Sequence, residues 1–162
     1  MKWIPKDIAM YKQAKEYVDS VLLTAVPLSF NEKMEQSAVM NELMTGLNYE
    51  LEKQFKGRIL LVPPLVYSAD TEEKIDLIQP IAANLRTNGF KHVFLLTFDE
   101  EWSIKEQELE AEVFLVPLLD AATEDGEIRV LAKERAQEIG ESFKEIWNNE
   151  LKNRQNNTVI KI

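Results

Sequence analysis

The feature that most constrains this fold is the alternation of short, continuously apolar segments with longer amphipathic ones. The apolar segments are rich in Val, Ile, Leu and Phe, and they are too short to be buried helices. They cover residues 20–26, 58–62, 92–97 and 113–118. Uninterrupted apolar runs of this length are typical of strands that are covered on both faces. We therefore predict four buried strands.

The segments between these strands have the 3.6-residue periodicity of amphipathic helices. Their apolar stripes are Val39, Leu43, Leu47, Leu51 and Phe55 in one helix, and Ile75, Ile78, Ala82 and Leu85 in the next. Ser29 with Glu32, and Asp70 with Glu73, have the spacing of capping boxes, which predicts that each pair starts one of these helices. Further helices are predicted over 7–16 and 127–153, and the acidic segment 98–110 is predicted as a loop with a short helix.

Strands that alternate with helices predict right-handed βαβ units and an α/β fold. The expected architecture has three layers: a mainly parallel sheet of four or five strands with helices on both faces, flavodoxin-like or Rossmann-like. We predict the strand order 2-1-3-4. No linker-like stretch divides the 162 residues, so a single domain is expected. Residues 154–162 are predicted as either a flexible tail or an extra edge strand, since 158–162 alternate in polarity.

Composition and charge argue against several classes of protein. A net charge of −9 argues against binding to nucleic acid, where affinity comes from Lys and Arg on phosphates. The absence of cysteine excludes disulfides, thiolate metal sites and a cysteine nucleophile. No apolar run approaches the roughly 20 residues that span a bilayer, and the start lacks the apolar core of a signal peptide. We therefore expect a cytoplasmic protein that does not bind membranes.

The motifs of several common enzymes are also absent. The sequence has no P-loop, no G-x-G-x-x-G after a strand and no G-x-S-x-G elbow. We therefore predict no cofactor. The single histidine, His92, starts the third strand at the amino edge of the sheet, where we expect it to be structural. With one histidine and no cysteine, no tightly bound zinc or iron is expected.

The candidate site lies at the carboxyl edge of the sheet, where open α/β folds bind their ligands. Three of the four strands run into proline there, which ends strand pairing and leads the chain into a loop. The candidate ligand-binding residues in the following loops are Tyr67, Ser68, Asp99, Glu101, Trp102 and Asp120. The carboxylates among them also suit the capping of helix starts, and Trp102 either folds over the core or contacts a ligand.

Two functions remain open. The first is a non-catalytic binding or regulatory module with an unknown protein or small-molecule partner, which the missing catalytic motifs favour. The alternative is a small-molecule enzyme of the hydrolase or glycosidase type, which uses the carboxylates of the carboxyl edge, with or without Mg²⁺. The sequence assigns no catalytic residue, and a monomer and a homodimer are both compatible with it.

Three short strings carry a resemblance to a known family. They are Met1-Lys2-Trp3 leading to Asp7, residues 15–19 (KEYVD) before the first strand, and residues 54–58 (QFKGR) at the second. With these strings the chain resembles the YpiF-like family of uncharacterised bacterial cytosolic proteins, a domain of unknown function. The resemblance implies a compact cytosolic protein and supplies no activity or site residue.

Overall fold

The secondary structure follows the predicted alternation of strands and helices. The computed structural model describes the backbone of residues 1–160 and the side chains of residues 1–156. In chain order the elements are α1 (Pro5–Gln13), β1 (Ser20–Leu28), α2 (Met34–Gln54), β2 (Ile59–Leu61), β3 (Leu65–Ser68), α3 (Ile75–Thr87), β4 (His92–Thr97), α4 (Glu101–Ile104), α5 (Glu106–Leu109), β5 (Glu112–Leu115) and α6 (Asp125–Ile160).

The strands form one sheet in the order β2-β1-β4-β5, with β3 paired to β1 beyond β2. All of the strand pairs in the described residues are parallel. The first strand is central, since Ser20 lies opposite both Ile59 of β2 and His92 of β4. The third and fourth predicted strands are β4 and β5, so the predicted order 2-1-3-4 is confirmed. The predicted α/β class with a mainly parallel sheet is confirmed as well.

Helices cover both faces of the sheet, as predicted, and each face has its own hydrophobic core. On one face, Leu22 and Phe94 pack with buried residues of α2 and α6. On the other face, Val21 and Val93 pack against α1, α3 and the short helices α4 and α5. Because side chains alternate along a strand, the continuous apolar runs supply both cores.

Two contacts define the packing of the α2–α6 layer. Gly46 of α2 lies so close to α6 that a Cβ atom at this position would stand 2.9 Å from Cβ of Ala132. Farther along α6, the ring of Phe143 stacks on Phe94 of the sheet with a centroid distance of 4.1 Å. Helix α6 therefore approaches α2 closely at one point and stacks on the sheet at another.

The prediction that proline ends the strands is wrong for the first strand, whereas β2 ends at Leu61 before Pro63 and β5 ends at Leu115 before Pro117. The first strand continues through Pro27 to Leu28, and after Pro63 and Pro64 the chain forms β3, which pairs with residues 25–28 of β1. The neighbour β4 pairs with β1 only as far as Ala25, so Pro27 lies where that side of β1 has no partner strand. A missing donor is tolerated at such an edge.

The two predicted capping boxes are not formed. Helix α2 starts after Lys33 and α3 after Lys74, and neither start has a side-chain cap. The polar side chains ahead of these helices bond within turns instead. Asn31 Oδ1 accepts from the amide of Lys33, and the Ser68 hydroxyl accepts from the amide of Asp70.

The last helix differs from its prediction at its end. It continues to Ile160, where the sequence predicted a tail or an edge strand from residue 154. Charged helix formers on this stretch, with an ion pair between Glu150 and Arg154 one turn apart, favour the helix over a strand. Residues 161 and 162 lie outside the described residues.

The single histidine lies at the amino edge of the sheet, as predicted. Its Nε2 atom is 2.7 Å from Oε2 of Glu150 on α6, and its ring stacks on Phe94. These contacts are those of a residue that joins a helix to the sheet.

Within residues 1–160, none of the helices combines the length and the apolar composition that crossing a membrane requires.

Candidate functional site

The carboxyl edge of the sheet brings three of the predicted site residues together. Asp99 lies two residues beyond the end of β4, and Trp102 follows on α4. Tyr67 lies on β3, opposite Pro27 of β1. Because β1 has β3 on one side and β4 on the other, side chains from the ends of both neighbours meet above it.

These residues form one hydrogen-bonded network with Lys74, the residue that precedes α3. The Tyr67 hydroxyl donates to Oδ2 of Asp99 at 2.6 Å, and Lys74 Nζ donates to the same oxygen at 2.8 Å. Trp102 Nε1 donates to the Tyr67 hydroxyl at 2.8 Å. The rings of Tyr67 and Trp102 meet edge to face, with centroids 6.2 Å apart. Every polar side-chain group of the network therefore has a partner inside it.

Burial makes these contacts strong. Only 4% of Lys74 and none of Trp102 is exposed, and the Asp99 side chain is 9% exposed. A buried charge is stable only when it is paired and hydrogen-bonded. The ion pair between Lys74 and Asp99 meets that condition.

The protonation states follow from the same contacts. Burial opposes the ionisation of Asp99, but the hydrogen bonds from Lys74, Tyr67 and the Glu101 amide outweigh it and lower the pKa below its usual 3.8. Burial also disfavours the charge on Lys74, yet the hydrogen bond and charge of Asp99 raise its pKa above 10.5. For Tyr67, burial and the hydrogen bond to Asp99 raise the pKa far above 10.0. At neutral pH the network holds a carboxylate, an ammonium and a neutral phenol.

Glu101 is the link between the buried network and the solvent. Its Oε2 atom is 3.3 Å from Lys74 Nζ, and 59% of its side chain is exposed. Lys74 thus faces two carboxylates, one buried and one accessible. The second carboxylate adds little to stability, because water screens an exposed charge.

A cleft of about 360 Å³ opens beside this network, between the ends of β1 and β4 and the start of α2. Asp99 and Lys74 form part of its wall. Its other polar lining residues include Ser29, Lys33, Gln36, Glu100 and Glu101. The chain leaves β1 in one direction toward β2 and later returns on the other side as β4, so the cleft stands at the topological switch point of the sheet.

The remaining predicted residues lie outside the network. Ser68 is exposed at the end of β3, and Asp120 is exposed in the turn after β5, where its Oδ1 accepts from the amide of Ala122. Trp102 lies over the core, which is one of the two alternatives that the sequence left open. Tyr67 and Ser68 were predicted in a loop and are on a strand, because the open side of β1 pairs with them. The role of all six residues in ligand binding stays a prediction.

Sequence reasoning missed Lys74, the residue that holds the network together. Lysine is common on solvated helices and gives no specific motif. One weak signal was available, since a cation at the start of a helix is unfavourable to the helix dipole and needs a compensating partner.

Among the described residues, no group of three or more His, Asp or Glu side chains is arranged to hold a metal ion.

The match to a protein family covers the residues of this site. Residues 9–147 match the family described as "Protein of unknown function (DUF2487)". Among curated proteins, the chain is similar to "Uncharacterized protein YpiF" of Bacillus subtilis (strain 168), with 35% identity over 102 residues. This alignment covers 63% of the chain and 68% of that protein. No solved structure matches the chain significantly.

Proposed function

The chain belongs to the DUF2487 family, which confirms the resemblance carried by its sequence, and within this family of unknown function we propose that it is a non-catalytic binding module. It acts in the bacterial cytoplasm and holds a small polar ligand in the cleft at the carboxyl edge. The bacterial setting is supported by the similar Bacillus protein. The proposed ligand binding is supported by the cleft and by the network in its wall.

The observation that carries this proposal is that the ionisable groups of the network neutralise each other. General acid–base catalysis is most effective when the pKa of the catalytic group lies near the working pH. The pKa of Asp99 is lowered and those of Lys74 and Tyr67 are raised, so all three move away from neutrality. A network of this kind shapes and stiffens a wall of the cleft.

The position and lining of the cleft support ligand binding there. Ligands of open α/β sheets bind in the crevice at the switch point. Glu100 and Glu101 attract a cationic group, and Ser29 and Gln36 offer hydrogen-bonding atoms near the opposite wall. Since Asp99, Glu100 and Glu101 outnumber Lys33 and Lys74 in the lining, the cleft favours a small ligand with a cationic group over a bare phosphate.

The enzymatic alternative has less support from the geometry. A hydrolase or glycosidase that works with two carboxyl groups needs one of them protonated at the working pH. Asp99, the buried carboxyl of this edge, is held in its ionised form by Lys74. The other two carboxylates of the cleft, Glu100 and Glu101, are exposed, and Glu101 already pairs with Lys74.

A thermal-shift screen of metabolites, nucleotides and divalent ions tests the proposal, because a ligand well above its Kd raises Tm. Each compound that raises Tm is measured again with Glu100→Gln and Lys33→Gln in the cleft. The exposed neighbours Glu134 and Lys133 of α6 are changed to glutamine as matched controls. For a ligand with a cationic group, we expect the shift to fall with Glu100→Gln, to stay the same or grow with Lys33→Gln, and to persist in the controls.

Two results would contradict the proposal. A shift that both cleft variants retain would place the binding site elsewhere. Conversion of the bound compound into a product, followed by mass spectrometry during incubation with the chain, would favour the enzymatic alternative.

A further inference from the structure

A second cavity lies in the groove between α1 and α3. Its volume is about 490 Å³, within the range of about 300–1,000 Å³ that is common for ligand pockets. The stacked rings of Tyr11 and Phe90, 5.4 Å apart, line it. Trp3, Ile8 and Ile81 contribute apolar walls. The groove and the cleft share no lining residue.

The walls of this groove expose apolar surface to solvent. Trp3 is 54% exposed, and Ile81 is 36% exposed. Ile4, which lines a neighbouring hollow together with Trp3, is 45% exposed. Scattered exposed apolar residues need no explanation, but a group of them beside a concave, apolar cavity is typical of a binding surface.

The charge at the groove is opposite to that of the protein. Lys12 and Lys15 line it, and four of the first fifteen residues are lysines, although the chain carries a net charge of −9. The one acidic residue of this segment, Asp7, accepts a hydrogen bond from the amide of Lys2. Within the part of the chain that the structure describes, neither Lys12 nor Lys15 forms an ion pair. Lys15 Nζ lies 5.8 Å from the centroid of the Tyr11 ring, a weak contact that leaves both exposed ammonium groups available to an anion.

We propose that this groove binds a carboxylate with an apolar tail, a free fatty acid of medium length. The tail lies on the rings of Tyr11 and Phe90 and against Ile81, and the carboxylate reaches Lys12 and Lys15. The apolar lining supplies binding free energy in proportion to the area removed from water, and the lysines select the sign of the head group. This site lies beyond the proposed cleft and does not depend on it.

The tryptophans provide a direct readout of binding. Of the three tryptophans, Trp3 is exposed in the groove, whereas Trp102 and Trp147 are 0% and 5% exposed. Acrylamide quenching of the unmodified chain therefore reports mainly on Trp3. Sodium decanoate, used below its micelle concentration, is expected to protect Trp3 from quenching and to shift its emission to the blue.

Matched probes and variants test separately how the groove recognises the carboxylate and how it recognises the apolar tail. Decanol and decyltrimethylammonium carry the same tail without the negative charge, and we expect both to bind more weakly than decanoate. Lys12→Gln with Lys15→Gln should raise the Kd for decanoate about fivefold, the effect of losing two exposed ion pairs. Lys152→Gln, at an exposed position of α6, should leave the Kd unchanged.

The apolar half is tested with Ile81→Asn, which should raise the Kd for decanoate about tenfold, since it places an amide against the tail. Val130→Asn is its control, because Val130 is an exposed apolar residue of α6 outside the groove. Circular dichroism and Tm verify that each variant is folded. Both positions are on the surface, so folding should be retained.

Several outcomes would overturn the proposal. Binding of decanoate without protection of Trp3 would refute the assigned site. Equal protection by decanol and decyltrimethylammonium would refute the role of the lysines. Protection by vesicles that contain phosphatidylglycerol, without protection by decanoate, would assign the groove to a membrane surface. Protection that depends on protein concentration alone, with a dimer in analytical ultracentrifugation, would assign it to a second copy of the chain.

Discussion

Replacing Lys74 by methionine tests the central interaction of the candidate site. Methionine keeps most of the aliphatic stem and removes the ammonium group, which donates to Oδ2 of Asp99 at 2.8 Å. The carboxylate then retains only the Tyr67 hydroxyl and the amide of Glu101 as donors. Since the Asp99 side chain is 9% exposed, water replaces the lost ammonium poorly.

The expected loss of stability is about 3 kcal/mol. Removing one partner of a buried ion pair destabilises a protein by roughly 3–5 kcal/mol, because the other charge is left uncompensated. The lower end applies here, since Asp99 keeps two hydrogen bonds. For a chain of this length, 3 kcal/mol corresponds to a fall in Tm of about 6–12 °C. Stabilities of about 5–15 kcal/mol are usual, so the variant should still fold.

The effect depends on pH in a defined direction. The pKa of Asp99 is lowered in the folded chain, so its contribution is present above the unfolded value near 3.8 and is lost as the pH falls through the folded pKa. The pKa of Lys74 is raised, so its contribution is present below 10.5 and is lost as the pH rises through the folded value. The difference between the wild type and Lys74→Met is therefore largest near neutrality and narrows in acid, where the variant can protonate Asp99.

Urea unfolding followed by circular dichroism, at pH 7 and at pH 4, measures this difference. Lys133→Met is the matched control, because Lys133 is exposed on α6 and should change the free energy of unfolding by less than about 0.5 kcal/mol. The double variant Lys74→Met with Asp99→Leu should recover most of the loss, since it removes both charges. If Lys74→Met were no more destabilising than the control, the buried pair and the stiff cleft wall would both be refuted.

Two further predictions concern the packing of α2 and α6, and urea unfolding measures both. Gly46→Ala should destabilise the protein by about 1–2 kcal/mol, because the new methyl group meets Cβ of Ala132 at 2.9 Å and helix propensity offsets only part of the strain. Its control is Gly57→Ala, which has no atom within 4 Å of the added Cβ and should be neutral or slightly stabilising. Equal effects of the two variants would refute the close approach of the helices. Phe143→Ala should lower the free energy of unfolding by about 3–5 kcal/mol, because a fully buried ring is lost. Val130→Ala, on the exposed side of α6, should lower it by less than about 0.5 kcal/mol. A small effect at residue 143 would refute the stack.

The sheet and its strand order could be predicted because the signal is repeated along the chain. Each apolar run supplies side chains to both faces, as Val21 and Leu22 do, and each helix carries one apolar stripe that packs on a face. Right-handed crossovers then leave few arrangements of four strands. These patterns are long enough that no single residue decides the result.

The details that the sequence could not predict depend on tertiary neighbours. Pro27 looks like the end of a strand until β4 is known to stop opposite Ala25. The short strand β3 forms because β1 extends beyond β2 and leaves a pairing edge. The spacing of Ser29 and Glu32 is that of a capping box, but α2 starts only after Lys33. Local patterns such as caps and strand ends are overridden by pairing elsewhere.

The location of the candidate site could be predicted from the sequence, but only some of its residues could. Loops after neighbouring parallel strands meet at one edge, which brought Tyr67, Asp99 and Trp102 into the same group. The burial of Trp102 depends on its hydrogen bond to Tyr67, which no pattern in the sequence encodes. Lys74 was missed for the same reason, since only the folded chain shows which carboxylate it meets.

The central position of β1 has a consequence for how the chain folds. Every strand that pairs with β1 comes later in the chain, and its longest ladder, with β4, needs residues 92–97. Closing such loops costs entropy before the pairing compensates for it, which slows folding relative to a helical protein of similar size. During synthesis, the uncharged segment of β1 stays without its longest partner strand until β4 has left the ribosome. Aggregation of the nascent or unfolded chain should therefore start at β1.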